Sequence, residues 1–159
     1  MLRDKNLIPL SRQHQHALAM CVRLKRALQA GEVDSEAWQA EITQLFKQEI
    51  GFHFAAEEKE VFPSAAQFLE LRGLVEELKA EHEVLRKLFL GAQGRGLNRC
   101  ELGALQAKLT AHIRKEERQL FEEMQERMSP EQMVGLGTGV ERALAEASKA
   151  CALPGRESR

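Results

Sequence analysis

Five histidines stand at positions 14, 16, 53, 82 and 112, and two of them open the same short pattern. His53, Glu57 and Glu58 read H-x-x-x-E-E and lead into the apolar pair Val61 and Phe62. His112, Glu116 and Glu117 repeat the pattern and lead into Leu120 and Phe121. Successive residues of an α-helix turn by about 100°, so residues four apart share a face. The stripe Ile42, Phe46, Ile50 continues into His53 and Glu57, and the stripe Leu102, Leu105, Leu109 continues into His112 and Glu116. His82 lies in line with Leu71, Val75, Leu78, Leu85 and Phe89, and His14 with Leu10, Leu18, Cys21, Leu24 and Leu28. His16 is turned by roughly 160° from His14 and falls toward solvent.

A single histidine on an apolar face is usually an ordinary core residue. Here two glutamates point inward with the histidines, and burying an ionised carboxylate costs several kcal/mol unless it is paired, hydrogen-bonded or bound to a metal. No inward lysine stands beside Glu57 or Glu116. His14, His53, Glu57, His82, His112 and Glu116 therefore read as a metal cage. Imidazole with carboxylate suits iron, manganese or zinc, and the lack of thiolates argues against blue copper and iron–sulfur clusters. Six ligands are too many for one tetrahedral zinc. Two carboxylates able to bridge, with histidines capping each ion, describe a dinuclear site. The Glu-x-x-His motif of ferritin-like di-iron bundles is absent, and with no Tyr in the chain a tyrosyl radical is excluded. Glu58 and Glu117 read as solvated helix-face charges that approach the metal only if the helix is locally over- or underwound.

The elements that must hold these residues are helices. Leu, Ala, Glu, Gln, Lys and Arg dominate the 159 residues, and no β-type alternation is present. Ser11 is positioned to cap a first helix reaching Ala30, with Gly31 in the turn that follows. A second helix spans Ser35 to Phe62 and stops at Pro63. A short helical piece from Ser64 to Leu71 precedes a third helix from Gly73 to Leu90, and a glycine-rich loop from Gly91 to Gly96 follows it. A fourth helix covers Arg99 to Met128. Ser129, Pro130 and Glu131 start a fifth, which Gly135, Gly137 and Gly139 weaken, and the tail LPGRESR frays. The expected fold is all-α: an antiparallel up-down four-helix bundle over 1–128, with a C-terminal helix and tail over 129–159.

Length and charge agree with one domain. The 23 Lys and Arg nearly balance 24 Asp and Glu, so the basic bias of a nucleic-acid binder is missing. No stretch is long and apolar enough for a signal peptide or a membrane span, which points to the cytoplasm. Cys21, Cys100 and Cys151 are odd in number and widely spaced, so they read as reduced thiols, Cys21 in the core.

From Leu7 to Met128 the sequence resembles the hemerythrin-like family, the HHE cation-binding domains. The residues that carry the likeness are His14 within Leu10-Ser11-Arg12-Gln13-His14, His53 and Glu57 leading to Val61-Phe62-Pro63, the pair Glu81-His82, and His112 with Glu116. The resemblance implies two non-haem iron ions, bridged by Glu57 and Glu116 and by an oxo or hydroxo group. Oxygen-carrying members have a further histidine four residues after that of the third helix, and an aspartate five after that of the fourth. This chain has Arg86 and Glu117 there. Arginine cannot ligate, so one iron is expected to have fewer protein ligands or to recruit Glu58, Glu117 or His16. The pattern of two H-x-x-x-E motifs resembles the iron-sensing and stress-repair branches more than the simple oxygen carriers.

The function expected is binding or sensing of O2, NO, peroxide or the iron-redox state at an open coordination position, by a monomer or homodimer with no nucleic-acid or membrane partner. The alternative is a di-iron enzyme or repair protein, peroxidase- or catalase-like or donating iron to iron–sulfur clusters. The residues leave the choice between binder and enzyme open.

Overall fold

The computed structural model describes the backbone of residues 1–152 and side chains through Lys149; the tail LPGRESR and the side chain of Cys151 lie outside the described residues. Five helices form an all-α bundle, with no strand among the described residues. They are α1 (Ile8–Ala30), α2 (residues 35–65), α3 (Arg72–Gln93), α4 (residues 99–127) and α5 (Pro130–Ala152). No helix among the described residues is long and apolar enough to cross a membrane.

The core shows why the first four helices alternate in direction. It consists of two apolar clusters. One holds Ala17, Cys21 and Leu24 of α1 with Ile42, Ile50, Leu85, Phe89, Leu105 and Leu109. The other holds Leu7 and Leu10 with Val61, Phe62, Val75, Leu78, Leu120 and Phe121. Along the chain, α1 passes from the second cluster to the first, α2 returns, α3 repeats the direction of α1 and α4 that of α2. At the midpoint of each passage sits an inward histidine. The helix pairs α1 with α4 and α2 with α3 pack along one another. Helix α5 closes the second cluster with Met133, Leu136 and Val140.

Several helix limits differ from the sequence reading. Ser11 is not a cap: α1 starts at Ile8 with Pro9 in its first turn, and Ser11 lies inside the helix. Pro63 does not end α2, which continues to Ala65. The turn Glu57–Val61 before it is a π-helical turn, wider than an α turn, and relieves the clash of the proline ring with the carbonyl four residues back. The stretch after Ala65 is not a helical piece reaching Leu71; it is a turn and one 3-10 turn, Leu69–Leu71. Gly91 belongs to α3, which runs to Gln93, so the loop is shorter than expected. Asn98 caps α4 through a reciprocal box with Glu101. The glycines of α5 do not interrupt it; a Cβ on Gly137 would lie 2.8 Å from Asn6 Cβ, so the absent side chain admits the N-terminal segment.

Candidate metal centre

The six inward residues converge between the two apolar clusters. They form two groups, His14, His53, Glu57, Glu116 and Glu57, His82, His112, Glu116, each with donor atoms within 4.8 Å of one another. All six are at most 2% exposed. Both glutamates belong to both groups, and each divides its oxygens between them. Glu57 Oε1 lies 2.9 Å from His53 Nε2 and 3.7 Å from His14 Nε2, while its Oε2 lies 3.3 Å from His82 Nε2. Glu116 Oε2 lies 3.1 Å from His14 Nε2, while its Oε1 lies 3.2 Å from His112 Nε2 and 3.9 Å from His82 Nε2. Each carboxylate thus faces both groups.

Each π-helical turn near the site starts at one of these glutamates, Glu57–Val61 in α2 and Glu116–Leu120 in α4. The extra residue in the turn shifts the helical phase, so Val61 with Phe62 and Leu120 with Phe121 all reach the core. The repeated H-x-x-x-E-E pattern with its trailing apolar pair thus encodes a repeated local geometry.

Every inward histidine is held at its outer nitrogen. His14 Nδ1 meets Glu117 Oε1 at 2.6 Å, His53 Nδ1 meets Gln13 Oε1 at 2.7 Å, His82 Nδ1 meets Glu58 Oε1 at 2.9 Å, and His112 Nδ1 meets Glu81 Oε2 at 2.7 Å. An oxygen acceptor outside makes Nδ1 the donor and turns the Nε2 lone pair inward, the setting of a metal-binding imidazole. The acceptors are anchored in turn. Arg86 grips Glu58 with two bonds, 2.6 and 2.8 Å, and lies over the Phe54 ring that stacks on His82. Ser11 Oγ donates to Glu117 Oε1 at 2.6 Å, Arg3 pairs with Oε2 at 2.8 Å, and Lys115 pairs with Glu81.

The inner atoms remain without such partners. All four carboxylate oxygens of Glu57 and Glu116 are buried with no hydrogen bond. The Nε2 atoms of His14 and His53 face each other at 2.9 Å, and those of His82 and His112 at 3.1 Å. Converging lone pairs and orphaned anionic oxygens of this kind call for positive charge between them. Titration behaviour agrees. Burial pushes the His14 imidazole down, but Glu116, Glu117 and Glu57 outweigh it and raise its pKa well above the usual histidine value. His112 is likewise lowered by burial but raised overall to about 10, chiefly by Glu116. Burial pushes Glu57 up, yet the surrounding His53, His14 and His82 hold it well below the carboxylate range. Glu116 is raised by burial and by Glu57, and drawn down overall by His112 and His14. A proton and a metal ion compete for the same Nε2 atoms. Imidazole nitrogens with carboxylate oxygens suit borderline metal ions.

All six predicted residues are therefore brought together. His16 is not: its side chain is 64% exposed and bonds Glu49. Glu58, Glu117 and His16, the residues named for recruitment, belong to neither group. Glu58 and Glu117 reach instead to the outer nitrogens of His82 and His14, because the residue after an inward glutamate is turned toward the neighbouring helix. The sequence reading missed that role, and it did not single out Gln13 or give Glu81 a function. The doubled glutamate in both repeats was the available signal.

The family model of the hemerythrin HHE cation binding domain matches residues 9–128, a span that takes in all six residues and stops before α5. No curated protein and no solved structure matches the chain.

Proposed function

The chain belongs to the hemerythrin HHE cation-binding family, and on that premise we propose that it holds two iron ions. His14 and His53 would hold one ion and His82 and His112 the other, with Glu57 and Glu116 offering an oxygen to each. The observation that carries this reading is the division of each buried carboxylate between the two groups, with none of the four oxygens hydrogen-bonded. A bound pair of redox-active ions supplies a Lewis-acidic centre for a diatomic or peroxide ligand and can exchange electrons with it. The protein's part is to fix the ions and to select by size. Glu57 and Glu116 set their separation, and the outer partners hold the rings. Phe54, stacked on His82 with ring centroids 3.9 Å apart, fills the space beside the site. Side chains that are at most 2% exposed shut out a large substrate, which supports binding or sensing of O2, NO or peroxide over its turnover.

Aerobic iron loading of the purified chain, followed by metal analysis and a visible spectrum, tests the proposal. About two iron ions per chain and an oxo-bridge charge-transfer band are expected. Less than about one iron per chain with no such band refutes it.

A further inference from the structure

The site has a hidden two-fold likeness. Helices α1 and α2 present Gln13, His14, His53, Glu57 and Glu58, while α3 and α4 present Glu81, His82, His112, Glu116 and Glu117 in matching roles. The residue before the histidine of the odd helix holds the histidine of the next one: Gln13 holds His53, and Glu81 holds His112. The residue after each bridging glutamate holds a histidine of the adjoining helix: Glu58 holds His82, and Glu117 holds His14. Among these outer partners the match fails chemically at one position. Three acceptors are carboxylates and Gln13 is an amide. The difference extends to the counter-charge. Lys115, three residues after His112, pairs with Glu81, whereas the residue three after His53 is Ala56. A neutral acceptor without a cation thus replaces an anionic acceptor with one.

We propose, resting on the two-ion reading above, that Gln13 makes the two metal positions unequal, the His82 and His112 position being filled first and held more tightly. An imidazole that donates to a carboxylate is a more basic ligand than one that donates to an amide. Both imidazoles of that position have carboxylate acceptors, and only one imidazole of the His14 and His53 position does. The bridging oxygens do not discriminate, because each glutamate gives one to either side. Solvent access does not discriminate either. Gln13, Glu58 and Glu81 each line a surface groove. The acceptor at the outer nitrogen is what differs.

The test is titration of the metal-free full-length chain with Zn2+ against a chelator of known affinity, with far-UV circular dichroism verifying the fold of each variant. Wild type is expected to bind in two steps of one ion each, about 10–100-fold apart, the range seen when an outer partner is lost. Gln13→Glu tightens the weaker step toward the stronger, and Glu81→Gln loosens the stronger. If Gln13→Glu alone disturbs folding, the double variant Gln13→Glu with Ala56→Lys restores the pairing seen at Glu81 and Lys115. His53→Ala abolishes the weaker step and keeps the tighter one. Two steps of equal affinity in wild type, or a Gln13→Glu protein with both steps unchanged, overturns the proposal while leaving the two-ion reading standing. Failure of wild type to bind any Zn2+ or Fe2+ overturns the two-ion reading and this one with it.

Discussion

Glu57→Gln separates what the buried carboxylate does for the metal from what it does for the fold. In the metal-free protein Glu57 is fully buried and neither oxygen has a hydrogen bond. Removing one member of a buried, mutually compensated charge cluster costs about 3–5 kcal/mol, because the groups left behind lose their partner. The Tm of the metal-free variant should accordingly fall, as the depressed pKa of Glu57 requires. The metal-loaded protein loses more. Oε1 serves one group and Oε2 the other, so a single substitution removes an anionic donor from both positions. Metal at 100 times Kd stabilises a one-site protein by about 2.7 kcal/mol. For a chain of this size that corresponds to a rise in Tm of about 5–11 °C. Thermal denaturation followed by circular dichroism, with and without Fe2+ under anaerobic conditions, reads both effects. Wild type should show the rise and Glu57→Gln should show little or none. A variant that keeps the full metal-dependent rise, or that melts at or above wild type when both are metal-free, would refute the reasoning.

Other consequences can be checked independently. Burial pushes the Cys21 thiol up to about 11 from 9.0, even though a bond with Thr110 acts the other way. In a Cys100→Ser, Cys151→Ser background, alkylation at pH 8 should therefore run about a hundredfold slower in the folded than in the urea-unfolded chain, and comparable rates would contradict the shift. Because the folded value is the higher one, this thiol's contribution to stability is complete below pH 9.0 and is lost as the pH rises through about 11, which urea titrations across that window would register. Two glycine substitutions in α5 should have opposite signs in urea denaturation. Gly137→Ala forces a Cβ onto Asn6 and should cost about 1–3 kcal/mol, whereas Gly135→Ala meets open space and should gain about 0.5–1 kcal/mol. Phe54→Ala removes a fully buried ring from against His82 and Phe89 and should cost about 3–5 kcal/mol, with metal binding weakened beyond the loss of stability. A Phe54→Ala protein of wild-type affinity would show that the ring does not position His82.

The inner layer of the site could be read from the sequence because each of its residues obeys a rule confined to its own helix. His14 rather than His16, and the four-residue step from His53 to Glu57 and from His112 to Glu116, follow from helical phase alone. The outer layer follows no such rule. Whether Gln13 reaches His53, or Glu81 reaches His112, depends on the axial offset between neighbouring helices, which periodicity does not specify. For the same reason Arg86 read as the loss of a ligand, while its bond to Glu58 depends on how α3 lies against α2. Pro63 was misjudged for a different reason. The rule that proline stops a helix presumes α geometry, and the π-helical turn of Glu57–Val61 suspends it. The glycines of α5 were weighed by intrinsic propensity, whereas the approach of Asn6 decided Gly137.

The polar layer between the two apolar clusters also bears on how the bundle finds its alignment. Helices faced with leucine alone can slide past one another by a turn and bury nearly the same area, so a purely greasy bundle tolerates several staggered arrangements. Here every one of the first four helices carries an ionisable side chain at the halfway mark. Shifting any of them by one turn would drive a histidine or a glutamate into a layer of leucine and phenylalanine, at a cost of several kcal/mol. A single polar residue in a coiled coil fixes stagger in this way. The six residues thus act as a vernier: the same polar layer that could hold metal aligns the chain.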